Sequence, residues 1–424
     1  KAKAPAPEAA AVAEPADPPA AASKPKAMFD LFADTDAVPD LPAAGEGVNR
    51  AGNDDTSDPE GFYQPRAGEM LDGRYSVQAV LGKGVFGTVV AALDTKAPAG
   101  EAEAPPGAPG DPSPPPASMP KVAIKIARAN SLMEAAARKE AECINDLDEE
   151  IPQERERIIA VRSIFTHGRH LCIVLDLMYL NLRDFLKRFG TEGGKPVGLH
   201  IDAVRLYGRD LLMALNCLRR SGIFHGDIKP DNILVNHGMK GVKVADFGTA
   251  CPVNDCTATP YVCSRYYRAP EIILGGSYGH PADMWSVGCT LYELYTGQIL
   301  FQGETNNHML KLFMALQGRF PNKLIKVAQF AERHFDETFA FLETSVDPVS
   351  KKAVTKRVAD IRSLIDLKAL LRVDECKPEE KGKVLQLASL LDSCLALDPA
   401  QRPTPEQALL HPLVKFGRRA EVKQ

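Results

Sequence analysis

Residues 223–235, IFHGDIKPDNILV, place Asp227, Lys229 and Asn232 between two apolar arms, and a second apolar run at 242–248, VKVADFG, ends in Asp246-Phe247-Gly248. The flanking Ile223, Phe224, Ile233, Leu234 and Val235 hold these polar groups against a core, where an unpaired charge is costly. A solvated turn with chance charges is the alternative reading. One ammonium, one amide and two carboxylates suit phosphoryl transfer from ATP. Asp227 would accept a hydroxyl proton and Lys229 would steady the moving phosphoryl group, while Asn232 and Asp246 would hold Mg²⁺.

Such a set needs a phosphate cradle, and the segment from Gly61 onward offers one. SVQAVLGKGVFGTVVAALD (76–94) reads as two strands joined by a tight loop, Gly82-x-Gly84-x-x-Gly87-x-Val89. Glycines let the backbone approach phosphates and aim its N–H groups at them. Residues 95–120 hold nine prolines and are expected to form a flexible surface loop. KVAIKIAR then resumes as a strand carrying Lys125. A lysine on a half-buried strand needs an anionic partner, and residues 131–147 supply a candidate helix. Glu140 shares a helical stripe with Cys143, Ile144 and Leu147, so it faces inward toward Lys125. Glu142, the rival for that role, falls off the stripe.

Further along, LCIVLDLMYLNL (171–182) reads as a buried strand turning into a connector. The period then changes from 2 to 3.6: Val204, Tyr207, Leu211, Leu215 and Leu218 share one helix face, and that helix ends at Gly222. Residues 284–295, MWSVGCTLYELY, are apolar nearly all round, as expected of a helix in the middle of a large lobe. Strands first and helices later predict an α+β protein with a β-rich lobe, an α-rich lobe and a cleft between them.

Composition narrows the class. A chain of 424 residues is long enough for two or three domain-sized units. Its 45% hydrophobic residues can bury a large core, and a net charge of −4 with pI about 6.2 is no basic nucleic-acid footprint. The nine cysteines form no CxxC pair, which fits reduced thiols in a cytosolic or nuclear protein. The best apolar run, 171–180, is interrupted by Asp176 and falls short of the roughly 20 residues of a membrane span. Residues 1–60, rich in Ala, Pro, Asp and Glu, are expected to be disordered; Met28-Phe29-Asp30-Leu31-Phe32 is their one more apolar patch. The sequence opens on Lys1 with neither an initiator methionine nor a signal-peptide pattern, as a fragment of a longer chain would.

From residue 75 to residue 412 the chain resembles a eukaryotic protein kinase. The matches are Gly82-Lys83-Gly84-Val85-Phe86-Gly87, Val122-Ala123-Ile124-Lys125, His225-Gly226-Asp227 with Asn232, Asp246-Phe247-Gly248, Ala269-Pro270-Glu271, Asp283-Met284-Trp285 and Arg402. The resemblance implies a bilobal fold over 75–415, preceded by an extension at 61–74 and followed by a tail at 416–424. It also implies a hinge at 176–180 and an activation segment at 246–271. By the same resemblance Asp227 would be the base, Lys229 the phosphoryl stabiliser, and Asn232 and Asp246 the Mg²⁺ ligands. Lys125, paired with Glu140, would hold the ATP phosphates under the glycine loop. Leu81, Val89, Ala123 and Leu234 would sandwich the adenine, with Leu175 behind it and the backbone from Asp176 to Met178 bonding its edge. Glu271 and Arg402 look like a structural ion pair.

SRYYRAPE at 264–271 and the long segment over 298–380 resemble the CMGC group. Tyr261 stands four and seven residues before Arg265 and Arg268, the relation of an activating tyrosine in that group's mitogen-activated members. A phosphate there adds close to two negative charges, for which two guanidiniums are natural partners. EGFYQPRAGEMLDGRY, PNKLIK, HFDETF and above all TNNHML (305–310) are similar to the spliceosome-associated family of pre-mRNA-processing factor four kinases. That likeness implies a nuclear serine/threonine kinase whose protein substrates belong to the splicing machinery; a monomer is expected, with no direct nucleic-acid binding by the kinase domain and no membrane contact. Gly226 stands where most protein kinases have an arginine, and the splicing kinases also use a small residue there. Two other readings stay open: a small-molecule phosphotransferase, which shares His-Gly-Asp but not the Ala-Pro-Glu segment, and a non-catalytic scaffold.

Overall fold

The computed structural model describes residues 57–84, 86–97, 120–257, 259, 261–346 and 352–415. Most of the expected disordered segment, Val85, nearly all of the proline-rich insert and the 416–424 tail lie outside the described residues. Alternation at a two-residue period builds the smaller lobe. Six strands, β1 (Met70–Leu71), β2 (Tyr75–Gly84), β3 (Gly87–Asp94), β4 (Lys121–Ala127), β5 (Val161–His167) and β6 (His170–Asp176), form an antiparallel sheet in the order β1-β2-β3-β4-β6-β5. Val122, Ile124 and Ile126 of β4 turn to one face and join Val77, Val90, Cys172 and Val174 in a core with Tyr63 and Tyr75. On the other face Ala127, Leu171 and Ile173 pack on Ala137 and Ala141 of helix α1 (Ser131–Asn145). Parity therefore sends Lys125 toward α1.

The side chain of Asn130 caps α1 by accepting the Leu132 N–H at 2.8 Å. Its buried stripe is Ala137, Glu140, Ala141 and Ile144, and Glu142 is exposed. The helix stops at Asn145 rather than at the expected 147, although Leu147 is still buried. One expectation is corrected at the N-terminal edge. Residues 57–60 fall within the stretch expected to be disordered, but they form a turn in which Asp58 Oδ1 accepts the N–H groups of Glu60 and Phe62. Ser57 bridges to Tyr63, whose ring is 1% exposed, so burial of an aromatic side chain ties this stretch to the sheet.

In the larger lobe, α2 (Ile201–Arg220) buries Val204, Tyr207, Leu211, Leu215 and Leu218, and the chain reverses at Gly222 with φ +68°. Strands β7 (Ile233–Val235) and β8 (Val242–Val244) pair antiparallel and carry the two motif ends. Helix α3 (His280–Thr296) is buried without a break from Ala282 to Leu294, the consequence of an apolar surface all round. Trp285 stacks on Phe301 and meets the edge of Phe313, which belongs to helix α4 (Asn306–Gln317). A hairpin of β9 (Phe341–Val346) and β10 (Ala353–Val358) comes next, which periodicity did not reveal, and then α5 (Pro378–Cys394). Among the described residues no helix is long and apolar enough to cross a membrane.

Arg402 and Glu271 make a buried bidentate pair at 2.7 and 2.8 Å, 6% and 7% exposed, and Arg402 also donates to the carbonyls of Pro281 and Ala396. Arg402→Met leaves Glu271 buried and unanswered, and is expected to lower stability by about 3–5 kcal/mol, whereas Glu271→Leu/Arg402→Met recovers most of that loss. Urea unfolding of both variants decides this, and equal losses would contradict it. A second expectation concerns pH. His334 is 3% exposed, and burial together with nearby Arg333 pushes its imidazole from 6.5 down to about 4. Its folded pKa lies below its unfolded one, so the unfolded chain takes up the proton first and stability falls as pH drops from 6.5 to about 4. A His334→Gln variant measured across that window should show a flatter decline than the parent chain.

Candidate active site

Both lobes supply walls to one cleft cavity. The sheet gives Gly84, Phe86, Gly87, Val89, Ala123 and Lys125, the end of β6 and the connector give Leu175, Asp176 and Met178, and the floor is Asn232, Leu234 and Asp246. Glu140 from α1 closes the back. Leu81, Gly82 and Lys83, expected at the nucleotide, are not among the lining residues. Lys83 Nζ instead pairs with Asp58 at 2.8 Å and lies over the Phe62 ring. Val85 lies outside the described residues.

The glycines of the β2–β3 hairpin answer different demands. A Cβ on Gly87 would sit 2.0 Å from the carbonyl oxygen of Ile126, so the approach of β4 requires glycine there. A Cβ on Gly84 would meet nothing within 4 Å, which leaves that backbone open to the cavity. At the tip, Phe86 folds inward, 3.7 Å from where a Cβ on Gly248 would stand.

Lys125 Nζ reaches the two oxygens of Glu140 at 2.6 and 2.9 Å and Asp246 Oδ1 at 3.7 Å. Burial works against the ammonium, but Glu140 and then Asp246 outweigh it and hold its pKa above the usual lysine value. The charge is thus kept by carboxylates from a helix and from the opposite lobe.

Across the cleft, Asp227 Oδ2 accepts from Lys229 Nζ at 2.7 Å and Asn232 Nδ2 at 2.9 Å. Its Oδ1 accepts the backbone N–H and the hydroxyl of Ser264 at 3.1 and 2.7 Å. Burial would raise the Asp227 pKa, yet Lys229 and Ser264 bring it below the ordinary aspartate value. The turn itself is fastened from behind. Asp283, 2% exposed, accepts the N–H groups of His225 and Gly226 at 3.0 and 3.1 Å. Gly226 has φ +77°, with the Phe224 ring 3.0 Å from a Cβ built there, so a larger residue at 226 is strained. The buried His225 is held neutral by desolvation. Its Nδ1 accepts the Asp227 N–H and its Nε2 donates to the Ala245 carbonyl, joining the two motif turns.

Asp246 sits at φ +60°, and its Oδ1 is buried without a hydrogen-bond partner. The Lys125 ammonium stands 3.7 Å from that oxygen, and with no hydrogen bond of its own the oxygen can still accept a second cation. Asn232 and Asp246 alone would leave a hard divalent cation short of its six or more oxygens, so phosphates and water must complete the shell. No group of three or more His, Cys, Asp or Glu able to hold a metal occurs among the described residues.

Ile144, Ile159 and Ala245 line the cavity alongside the expected residues. Asp176 lines the cavity too, but its carboxylate is committed to Arg162 at 2.8 Å and Lys243 at 2.7 Å. Tyr261 is 45% exposed. Its expected partners turn elsewhere in this state: Arg265 Nη1 donates to the Glu304 carbonyl at 2.6 Å, and Arg268 wraps the backbone of residues 261–263. Ser264, His225 and Asp283 lie inside the motifs read from the sequence, but that reading gave them no part in the site. Ser264 and Asp283 act through long-range contacts, and His225 through one local bond to Asp227 and one to Ala245; none of these carries a periodic signal.

Comparison with known proteins gives the family. The protein kinase domain matches residues 117–414. The chain is 42% identical over 360 residues to the serine/threonine-protein kinase prp4 of Schizosaccharomyces pombe, a match covering 85% of this chain and 70% of that protein. It is 36% identical over 372 residues to the serine/threonine-protein kinase prpf4B of Dictyostelium discoideum, covering 86% and 42%. The dual specificity tyrosine-phosphorylation-regulated kinase mbk-2 of Caenorhabditis elegans is 32% identical over 367 residues, covering 86% and 41%. The chain thus spans less than half of the last two relatives. It belongs to the protein kinase family and is a serine/threonine protein kinase similar to the Prp4 kinases.

Proposed function

We propose that this kinase transfers the γ-phosphate of ATP to serine and threonine hydroxyls of pre-mRNA splicing proteins, acting in the nucleus as a monomer. The observation that carries the chemistry is a single one: Asp227, braced by Lys229 and Ser264, is bonded to Asn232, which lines the same cavity as the Lys125–Glu140 pair. The splicing substrates and the nuclear location rest on the family resemblance and on the likeness to prp4.

In this reading Asp227 takes the proton of the attacking hydroxyl. Its lowered pKa keeps it ionised but a weak base, so proton transfer accompanies formation of the new P–O bond rather than preceding it. Lys229 balances charge on the moving phosphoryl group, and Lys125, fixed by Glu140, binds the α- and β-phosphates. Backbone N–H groups of the glycine hairpin cover those phosphates. Asn232 and Asp246 would hold Mg²⁺, which when bound neutralises phosphate charge. Ala123, Val89, Leu175 and Leu234 enclose the base between apolar surfaces.

Tyr261 is assigned as a site of autophosphorylation that raises activity. The Arg265 Nε is buried without a hydrogen-bond partner, so that side chain has a donor for an incoming phosphate.

Asp227→Asn should lower ³²P transfer from ATP to a serine-containing peptide by at least ~10²-fold while the melting temperature stays near that of the parent. Near-parental transfer would remove Asp227 from the role of base. For Tyr261, tryptic mass spectrometry of active protein should show a phosphotyrosine peptide. Full activity with Tyr261 unmodified would end that assignment.

A further inference from the structure

The TNNHML run at 305–310 stands out in the sequence only as a likeness, yet it begins α4 at the point where the activation segment returns. The Thr305 hydroxyl caps the helix by accepting the His308 N–H at 3.1 Å. Asn306 comes next and is 7% exposed, and its Oδ1 accepts from Arg268 Nη1 at 2.7 Å. Arg268, itself 6% exposed, directs Nε to the Val262 carbonyl at 2.8 Å and Nη2 to the carbonyls of Cys263 at 2.9 Å and Tyr261 at 3.4 Å.

Those three carbonyls belong to a turn that does not hold itself cheaply. Cys263 is not a glycine, yet it has φ +67°, a conformation that persists only where its surroundings over-determine it. The residue after the turn is Ser264, whose N–H and hydroxyl both reach Asp227 Oδ1. A continuous path therefore runs from α4 through Asn306, Arg268 and the strained turn to the Asp227 carboxylate. Asn307 faces the other way. Its Nδ2 donates to the Leu342 carbonyl and its Oδ1 accepts the Thr344 N–H, both at 2.9 Å, which fixes the start of β9.

We propose that Asn306 is a positioning residue: through Arg268 it holds the 261–263 turn in the shape that sets Ser264 on Asp227 before any phosphate is added to Tyr261. This rests on the reading of Asp227 as the base. The amide supplies the needed acceptor and brings no negative charge to Arg268, so the guanidinium keeps its attraction for a phosphate on the neighbouring Tyr261. Phosphorylation then reinforces a geometry already in place.

The test uses the full chain, treated with a tyrosine phosphatase, with steady-state kinetics in peptide and in ATP. Asn306→Ala should lower kcat/KM for the peptide roughly tenfold and leave the KM for ATP within about twofold. Asn306→Asp, which keeps the acceptor oxygen, should restore the peptide value to within about threefold of the parent, but should show a smaller gain when Tyr261 is phosphorylated. Asn307→Ala serves as the comparator for a structural role, with a lowered melting temperature and no selective loss toward peptide. A folded Asn306→Ala with unchanged peptide kinetics would overturn the proposal, as would Asn306→Asp performing no better than alanine. A dephosphorylated parent with no measurable activity would overturn it too. An active Asp227→Asn is a separate result: it removes the reading of the base and leaves the effect of Asn306 on peptide kinetics to be judged by its own variants.

Discussion

An ionised group taken out of water must be answered by an opposite charge or by several hydrogen bonds, and the junction between the lobes is organised around that demand. Lys125 is answered by Glu140 from α1 and by Asp246 from the larger lobe. Asp227 is answered by Lys229 and Asn232 of its own loop and by Ser264 from a segment 37 residues further on. The strand that carries Lys125 has no counter-charge of its own for it, so correct packing of sheet, helix and the opposite lobe is the condition for keeping that ammonium charged. Electrostatics and tertiary structure thereby enforce one another.

The two sides of the cleft are not equally rigid in origin. The floor is tied to the most buried part of the molecule: Asp283, which fastens the turn at residues 225–226, belongs to the fully enclosed α3. Arg402 and Glu271 clamp the same region from the far end of the chain, and Arg183 gathers Asp231, Tyr267 and Glu293 beneath the site. The roof is a two-stranded hairpin held mainly by ladder bonds, by the Lys83–Asp58 pair and by the Phe62 ring. A site with a fixed floor and a lighter roof suits a reaction in which a nucleotide must enter and leave.

Much of this is legible in the order of residues, for stated physical reasons. Strand parity in Val122-Ala123-Ile124-Lys125 fixes the face on which Lys125 lies, and the helical stripe chooses Glu140 over Glu142. The continuous apolar surface of α3 marks it as central. Periodicity cannot carry contact between loops. Ser264 meets Asp227 and Asn306 meets Arg268 through segments with no repeating pattern, and nothing in the local composition announces either pair. The N-terminal edge is misread for a related reason: residues 57–60 are polar enough to look unfolded, but the Asp58 side chain satisfies local backbone N–H groups and the buried Tyr63 anchors the turn to the sheet. Lys83 looks like a nucleotide contact because it lies between two glycines, and its partner Asp58 sits in the very stretch that composition marks as disordered.

The unequal glycines of the roof have a practical consequence for chemical control of this kinase. At residue 87 the neighbouring strand leaves no room for any side chain, whereas at residue 84 an added Cβ would meet nothing. Gly84→Cys would therefore install a thiol on the wall of the cavity without meeting another protein atom. An electrophile mounted on a purine-like scaffold could tether there, giving an engineered allele that a small molecule silences selectively while the native kinase is spared.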